Sequence, residues 1–334
     1  MSKISKKQLE ATKNHHQVWA NYMKRWSPDN LSVFYTTKKG NIGYDSVRNV
    51  AVERHFYRVE HLEEEHLEVI KSISKYSDKS LQELHMSYLS DYLRKQHYST
   101  LYDNSGVKDD VADKIIEAWK CNGIEDSYTK HEGECKHILE SLAARDLSVL
   151  EDDDNMMKFT LFYAHQMART KTFKDTIIEG ASRLNTQTNP LTSNKIEECW
   201  WFIAYMLGMN IGKSLFLDRK TDTHCLLIND SQTPFITSDQ PIINVYQSFH
   251  YEEVRPPEGH ECDLYYPISP SVAYMINKSD RFPSGFVNVG LDVVEEMNLK
   301  IARKANVHII SNSEESLKPY RKNVGEWFDI VRKI

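Results

Sequence analysis

"CWWFIAYMLGMNIGKSLFLDRKTDTHCLLIND", residues 199–230, contains the change of period that decides the fold. Residues 199–217 are almost continuously apolar, but they include Asn210 and Lys213 and come directly after the acidic pair Glu197 and Glu198. That composition reads as a buried core helix in preference to a membrane span. From Thr223 the chain changes to short β-rich runs: "HCLLIN", "PFIT", "DLYYPIS", "VAYMIN" and "VHIIS". Prolines 234, 241, 256, 257, 267 and 270 punctuate them, as expected of an antiparallel sheet with many turns.

Towards the N-terminus, helical periodicity predicts helices over 79–97, 108–121, 132–146, 154–183 and 194–217, broken at "DNSG", "NGIEDS" and "NTQTNPLTSN". Before them, "LSVFYTTKKGNIGYDSVRNVAV" alternates on both sides of Lys39 and Gly40 and predicts a β-hairpin. The opening stretch "NHHQVWANYMKRW", residues 14–26, reads as an amphipathic aromatic helix. Helices return at "LDVVEEMNLKIARKA" and "SEESLKPYRKNVGEWFDIVRKI". The sum is an α+β fold: N-terminal helix and hairpin, helical middle, and a C-terminal, mainly antiparallel sheet with flanking helices. A mainly helical region 1–220 and a β-rich region 221–334 are expected to form one compact unit.

The 334 residues are 40% hydrophobic and carry a formal net charge of −6, which fits a packed globular chain and argues against a surface coated for nonspecific nucleic-acid binding. Five scattered cysteines without a Cys-x-x-Cys pair suit reduced thiols, and no secretion signal is visible, so the expected location is cytoplasmic and no membrane is expected. No glycine-rich phosphate loop and no Gly-x-Ser-x-Gly nucleophile motif occurs.

Six motifs succeed one another in an order that resembles the bacterial family known as domain of unknown function 4238. They are "NHHQVWANYMKRW", "VAVERHFYRVEHLEEE", "KHEGECKHILESL", "FTLFYAHQMARTKTFKD", "PFITSDQPI" and "LYYPISP", spread over residues 14–276. Either His15 or His16 stands at the family's histidine position, and Glu132 matches its acidic position ahead of a Leu-rich helix. The family's name assigns no activity, so the resemblance implies placement of residues more than chemistry.

Each chemistry-bearing residue has a functional and a structural role open to it. His15 and His16 offer an imidazole as metal ligand or base, against a polar helix edge capped by Asn14. Glu53 offers a general base or metal ligand if its strand turns it towards the sheet interior, against a salt bridge. On a helix, Gln166 and Arg169 share a face, and the planar guanidinium suits phosphate or carboxylate, against a buried pair with Glu53 or Asp239. Asp239 projects before Pro241 from a strand end, against ordinary turn bonding.

The expectation is a metal-assisted hydrolase, a phosphodiesterase or nuclease acting on nucleic acid or nucleotide. In it Glu53, Glu132 and Asp239, with His15 or His16, hold Mg or Mn (Zn less suited) and activate water, while Gln166 and Arg169 position phosphate. The alternatives are a noncatalytic interaction or ligand-sensing module with a protein partner, and a metal-free nucleotide or ribosyl hydrolase. An expected setting is phage defence, which no residue motif carries.

Overall fold

The computed structural model describes residues 9–183, 193–246 and 257–331. The chain runs β1 (Asn14–His16), α1 (Ala20–Met23), β2 (Ser32–Thr36), β3 (Ile42–Ser46) and β4 (Val52–Arg54), then enters the helical body. That body comprises α2 (Glu64–Ser74), α3 (Lys79–Asn104), α4 (Asp110–Ala143), α5 (Asp153–Ala168), α6 (Lys171–Arg183), α7 (Ser193–Glu198) and α8 (Trp200–Asp218). The last third adds β5 (Thr223–Asn229), β6 (Thr237–Ser238), β7 (Ile243–Asn244), β8 (Asp263–Ser269), β9 (Val272–Asn277), β10 (Gly285–Val289), α9 (Leu291–Lys304), β11 (Ile309–Ser311) and α10 (Glu326–Val331). The α+β architecture is as the sequence predicts, and no helix among the described residues is long and apolar enough to cross a membrane.

Among the described residues the strands form three sheets. β1 pairs antiparallel with β4, bringing His15 opposite Glu53. A five-stranded sheet is ordered β10-β5-β9-β8-β7, antiparallel except for the parallel β10–β5 pair. A four-stranded sheet is ordered β3-β2-β11-β6, so the N-terminal hairpin shares a sheet with strands from the C-terminal third. The hairpin turns where expected, with Gly40 at φ 74°, a left-handed conformation that glycine adopts without steric cost.

Several helix boundaries differ from the sequence reading. "NGIEDS" does not break the chain: α4 runs through it as one 34-residue helix. Ala118, Cys121, Ile124, Tyr128, Cys135, Ile138, Leu139 and Leu142 keep one buried face across Gly123. A glycine in a helix costs about 1 kcal/mol, whereas burying one large apolar side chain contributes about 1.5–3 kcal/mol, so the face wins. Conversely, the helix expected over 154–183 breaks at Arg169 and Thr170, and the one expected over 194–217 breaks at Cys199. "NHH" is a strand and not the start of a helix. The last segment turns through Gly325 (φ 79°) before α10 and so is not one long helix. The loop expected at 185–194 lies, apart from Ser193 and Asn194, outside the described residues.

The helical body meets the sheets through aromatic contacts, which fix α5 against β8 and β9. Phe159 of α5 packs edge-on against Tyr274 of β9, with ring centroids 4.9 Å apart, and Tyr163 meets Tyr266 of β8 at 5.6 Å. α8 lies along α5 with Gly208 against the His165 ring, the buried core helix the apolar run predicts.

Candidate functional site

Arg169 is the organising side chain. It caps α5 with its guanidinium turned inward and is only 2% exposed. Its Nη1 pairs with Glu132 Oε1 of α4 at 2.7 Å, and its Nη2 donates to Gln166 Oε1 at 2.6 Å. Burial works against the charge, and Glu132, Tyr57 and Glu125 outweigh it, so the guanidinium stays firmly protonated. Its Nε is closed off from solvent without a partner. The face of Tyr128 lies 5.2 Å from the guanidinium carbon.

The network then runs through four of the motifs. Gln166 Nε2 donates to the Gln17 carbonyl at 2.9 Å, tying α5 to the strand that carries both histidines. The Tyr57 hydroxyl donates to the Arg169 carbonyl, and the Tyr57 amide donates to His15 Nδ1 at 2.7 Å. The hydroxyl of Thr170 donates to Gln240 Oε1 in the Ser-Asp-Gln-Pro turn. Motifs far apart in sequence are thus successive links of one hydrogen-bonded chain.

The two histidines have different fates, because neighbours on a strand point to opposite sides. With Nδ1 accepting from Tyr57, His15 carries its proton on Nε2 and donates it to the Thr12 carbonyl at 3.0 Å. Both ring nitrogens are used, the ring stacks on Tyr57 at 5.7 Å, and burial lowers its pKa, so His15 is a neutral structural group. His16 is half-buried, with its Nε2 closed off and unpartnered. Burial, then the charge of Arg169, lower its pKa against a backbone hydrogen bond at Arg48, and the net effect favours the neutral ring.

Three carboxylates face Arg169 or its partners. Glu132 forms the ion pair, and burial raises its pKa against the pull of Arg169. Glu53, on β4 and not on a continuation of the hairpin strand, is exposed and accepts from Gln17 Nε2 at 2.9 Å. Left-handed Ala51 (φ 53°) and His55 (φ 61°) bracket that strand, a cost that non-glycine residues bear where surrounding packing fixes the backbone. Glu125, two helical turns before Glu132 on α4, is the third. Burial pushes its carboxyl up to about 7, Arg169 pulls it down, and Glu132 pushes it up again. Glu125 Oε2 is closed off from solvent with no hydrogen-bond partner.

Sequence reasoning missed Glu125 for one reason: a break placed at "NGIEDS" hides the i, i+7 relation that puts it above Glu132 on one face. Asp239, by contrast, is expected at the site from its sequence and does something else. Its Oδ1 accepts from the Asn306 amide at 2.8 Å, and its Oδ2 from the amides of Val307 at 2.7 Å and His308 at 2.8 Å. Those bonds clasp β6 to the turn before β11 and commit both carboxylate oxygens to backbone amides. Among the described residues, no group of three or more His, Cys, Asp or Glu side chains is placed to hold a metal ion. The expected set of Glu53, Glu132 and Asp239 therefore does not present free converging donors. A cavity of about 300 Å³, lined by Lys171, Asp175, Thr176, Ile178, Glu197 and Phe328 among others, lies apart from this network.

Residues 14–315 match a family described as "Protein of unknown function (DUF4238)". No curated protein and no solved structure matched the chain.

Proposed function

The chain belongs to the DUF4238 family, and on that footing we propose that it is a metal-independent hydrolase acting on a ribosyl or nucleotide substrate. The observation that carries this reading is the free, solvent-closed Oε2 of Glu125 beside Arg169. A carboxyl held near 7 is an efficient proton donor at neutral pH. Glu53, exposed at the rim, supplies a second carboxylate in a different environment.

In this mechanism the C1′–leaving-group bond breaks with its electron pair going to the leaving group. Glu125 donates its proton there, while Glu53 accepts the proton of the water that adds to C1′. Glu132 and Gln166 hold Arg169, whose charge opposes the rise that burial gives the Glu125 carboxyl. Once Glu125 has given up its proton, its carboxylate and that of Glu53 favour the positive charge that develops on the sugar. Metal-assisted phosphodiester cleavage draws less support, since Asp239 is bonded to three backbone amides and Glu132 to Arg169.

The test is release of free base, measured by chromatography, from a panel of nucleosides and nucleotides incubated with chelator-treated protein. Expected is release that chelator leaves unchanged and that Glu125→Gln lowers by at least about 10²-fold while folding is retained. Release that appears only when Mg²⁺ or Mn²⁺ is added would return the site to a metal-assisted reading. No release from any substrate would favour the ligand-sensing module, which the fully satisfied bonds of His15 and Asp239 also suit.

A further inference from the structure

The cavity of about 300 Å³ that the Arg169 network leaves unused is a cleft lined by side chains of α6, α7 and α10. Contacts between side chains fix its walls to one another. Lys174 of α6 pairs with Glu197 of α7 at 3.0 Å. The hydroxyl of Thr172, also on α6, donates to the Lys304 carbonyl of α9 at 3.4 Å, and the Lys304 ammonium lies 4.7 Å from the Trp327 ring of α10. Glu326 of α10 in turn pairs with Arg303 of α9 at 3.0 Å. Helices, and not a single loop, therefore hold the cleft open. Sites for small ligands begin at about this volume.

The polar lining is rich in acceptors. Asp175 takes the Lys171 ammonium on Oδ1 at 3.1 Å, and Glu197 takes Lys174 on Oε1, so each carboxylate keeps a second oxygen that accepts no hydrogen bond among the described residues. Thr176 uses its proton on the Thr172 carbonyl at 2.8 Å, which leaves its hydroxyl to meet a ligand only as an acceptor. With Glu179, three of the lining side chains are carboxylates, and one, Lys171, is a cation. The rest of the wall is apolar, formed by the Phe328 ring and Ile178. An aromatic face attracts a cation. Acceptors beside an apolar wall suit a donor-bearing cation on an apolar stem, and they oppose an anion, which would meet like charge.

We propose that the cleft between α6, α7 and α10 binds a small organic cation, an ammonium or guanidinium head on an apolar stem. The head bonds to the unused oxygens of Asp175 and Glu197 and to the Thr176 hydroxyl, charge-assisted bonds of the stronger kind. The stem lies on Phe328 and Ile178. The site shares no residue with the network around Arg169, so it holds whether or not the carboxylates there hydrolyse a ribosyl bond.

The experiment is isothermal titration of the full chain with pentylamine, pentylguanidine, pentanol and pentanoate, which share one stem and differ in the head group. Expected is saturable binding of at least one cation, about 10-fold or more tighter than pentanol, and none of pentanoate. Asp175→Asn combined with Glu197→Gln is expected to weaken cation binding about 10-fold or more, and Phe328→Ala about 3-fold. Thr176→Lys sets a fixed cation in the cleft from an exposed helical position that lysine suits, and is expected to abolish binding with the circular dichroism unchanged. It decides the matter if the double variant fails to fold. Glu83→Gln removes an exposed carboxylate of α3 outside the lining and is expected to bind as the unmodified chain does. The tighter of the two cations assigns the head group. No saturable binding of either cation, pentanol or pentanoate binding as tightly as they do, or equal binding by Thr176→Lys overturns the proposal. Cation binding by a protein that releases no base from any substrate keeps this site and removes only the hydrolase reading.

Discussion

Replacing Gly208 by alanine in the middle of α8 should destabilise the protein, although the same change in an ordinary helix stabilises it. Alanine is favoured over glycine by about 1 kcal/mol in a helix interior. At Gly208, however, an added Cβ would meet His165 Nδ1 inside the closest approach that unbonded heavy atoms make. The imidazole has little room to retreat, because it is stacked between His131 at 4.7 Å and Tyr205 at 4.5 Å, with Tyr128 edge-on at 5.7 Å. Overpacking of this kind costs about 1–3 kcal/mol, and the clamped ring places it at the upper end, for a net loss of about 2 kcal/mol. His165→Ala removes the obstacle at the cost of a cavity. In that background Gly208→Ala should regain its ordinary benefit of about 1 kcal/mol, giving a coupling of about 3 kcal/mol between the two positions. Urea unfolding of the four proteins measures it, read as shifts in midpoint at constant slope. A Gly208→Ala protein with a raised midpoint, or the same sign of effect in both backgrounds, would refute the account of how His165 is held.

The remaining predictions concern charge. His165 is fully buried, and burial, reinforced by His131 and Arg169, lowers its pKa well below the ordinary 6.5, so the unfolded chain binds its proton first. Stability is therefore complete above pH 6.5 and falls by about 1.4 kcal/mol per pH unit for each such histidine as the pH drops towards the folded value. His165→Phe should lessen the slope of stability against pH by about one proton, and an unchanged slope would show that the ring is not a buried neutral histidine. Arg169→Met should cost about 3–5 kcal/mol by leaving Glu132 without its cation, while Arg169→Met with Glu132→Met should recover much of that loss. Calorimetric melting of both variants decides it, and equal losses would mean that the pair is not coupled. Asp239→Asn should lower stability by about 3 kcal/mol, because an amide nitrogen replaces an acceptor facing backbone N–H groups. If the variant instead unfolds as the unmodified chain does and loses only activity, the structural assignment of Asp239 fails.

The points at which sequence and structure part share one cause. Periodicity identifies an element from its own residues, and a boundary is inferred from local breakers such as Asn122-Gly123. Whether a breaker succeeds depends on what the flanking turns bury, which belongs to other parts of the chain. α4 continues because Ile124 and Tyr128 keep its buried face going, and that continuity turns Glu125 from a loop residue into a site residue. His15 and His16 are equivalent as letters; strand geometry and one bond from the Tyr57 amide separate them.

By itself the sequence determined the fold class, the family, the hairpin at Gly40, the buried helix over 199–217 and the polar residues of interest, including the Gln166–Arg169 pair. These come from hydrophobic period, turn chemistry and motif order, which are local or nearly so. Only the tertiary structure decided who partners whom: Arg169 with Glu132, Asp239 with three backbone amides, and Thr170 with Gln240. The reason is that a buried polar group is defined by the bonds it must complete. Those partners lie far away in sequence and come within reach only when helices and sheets pack.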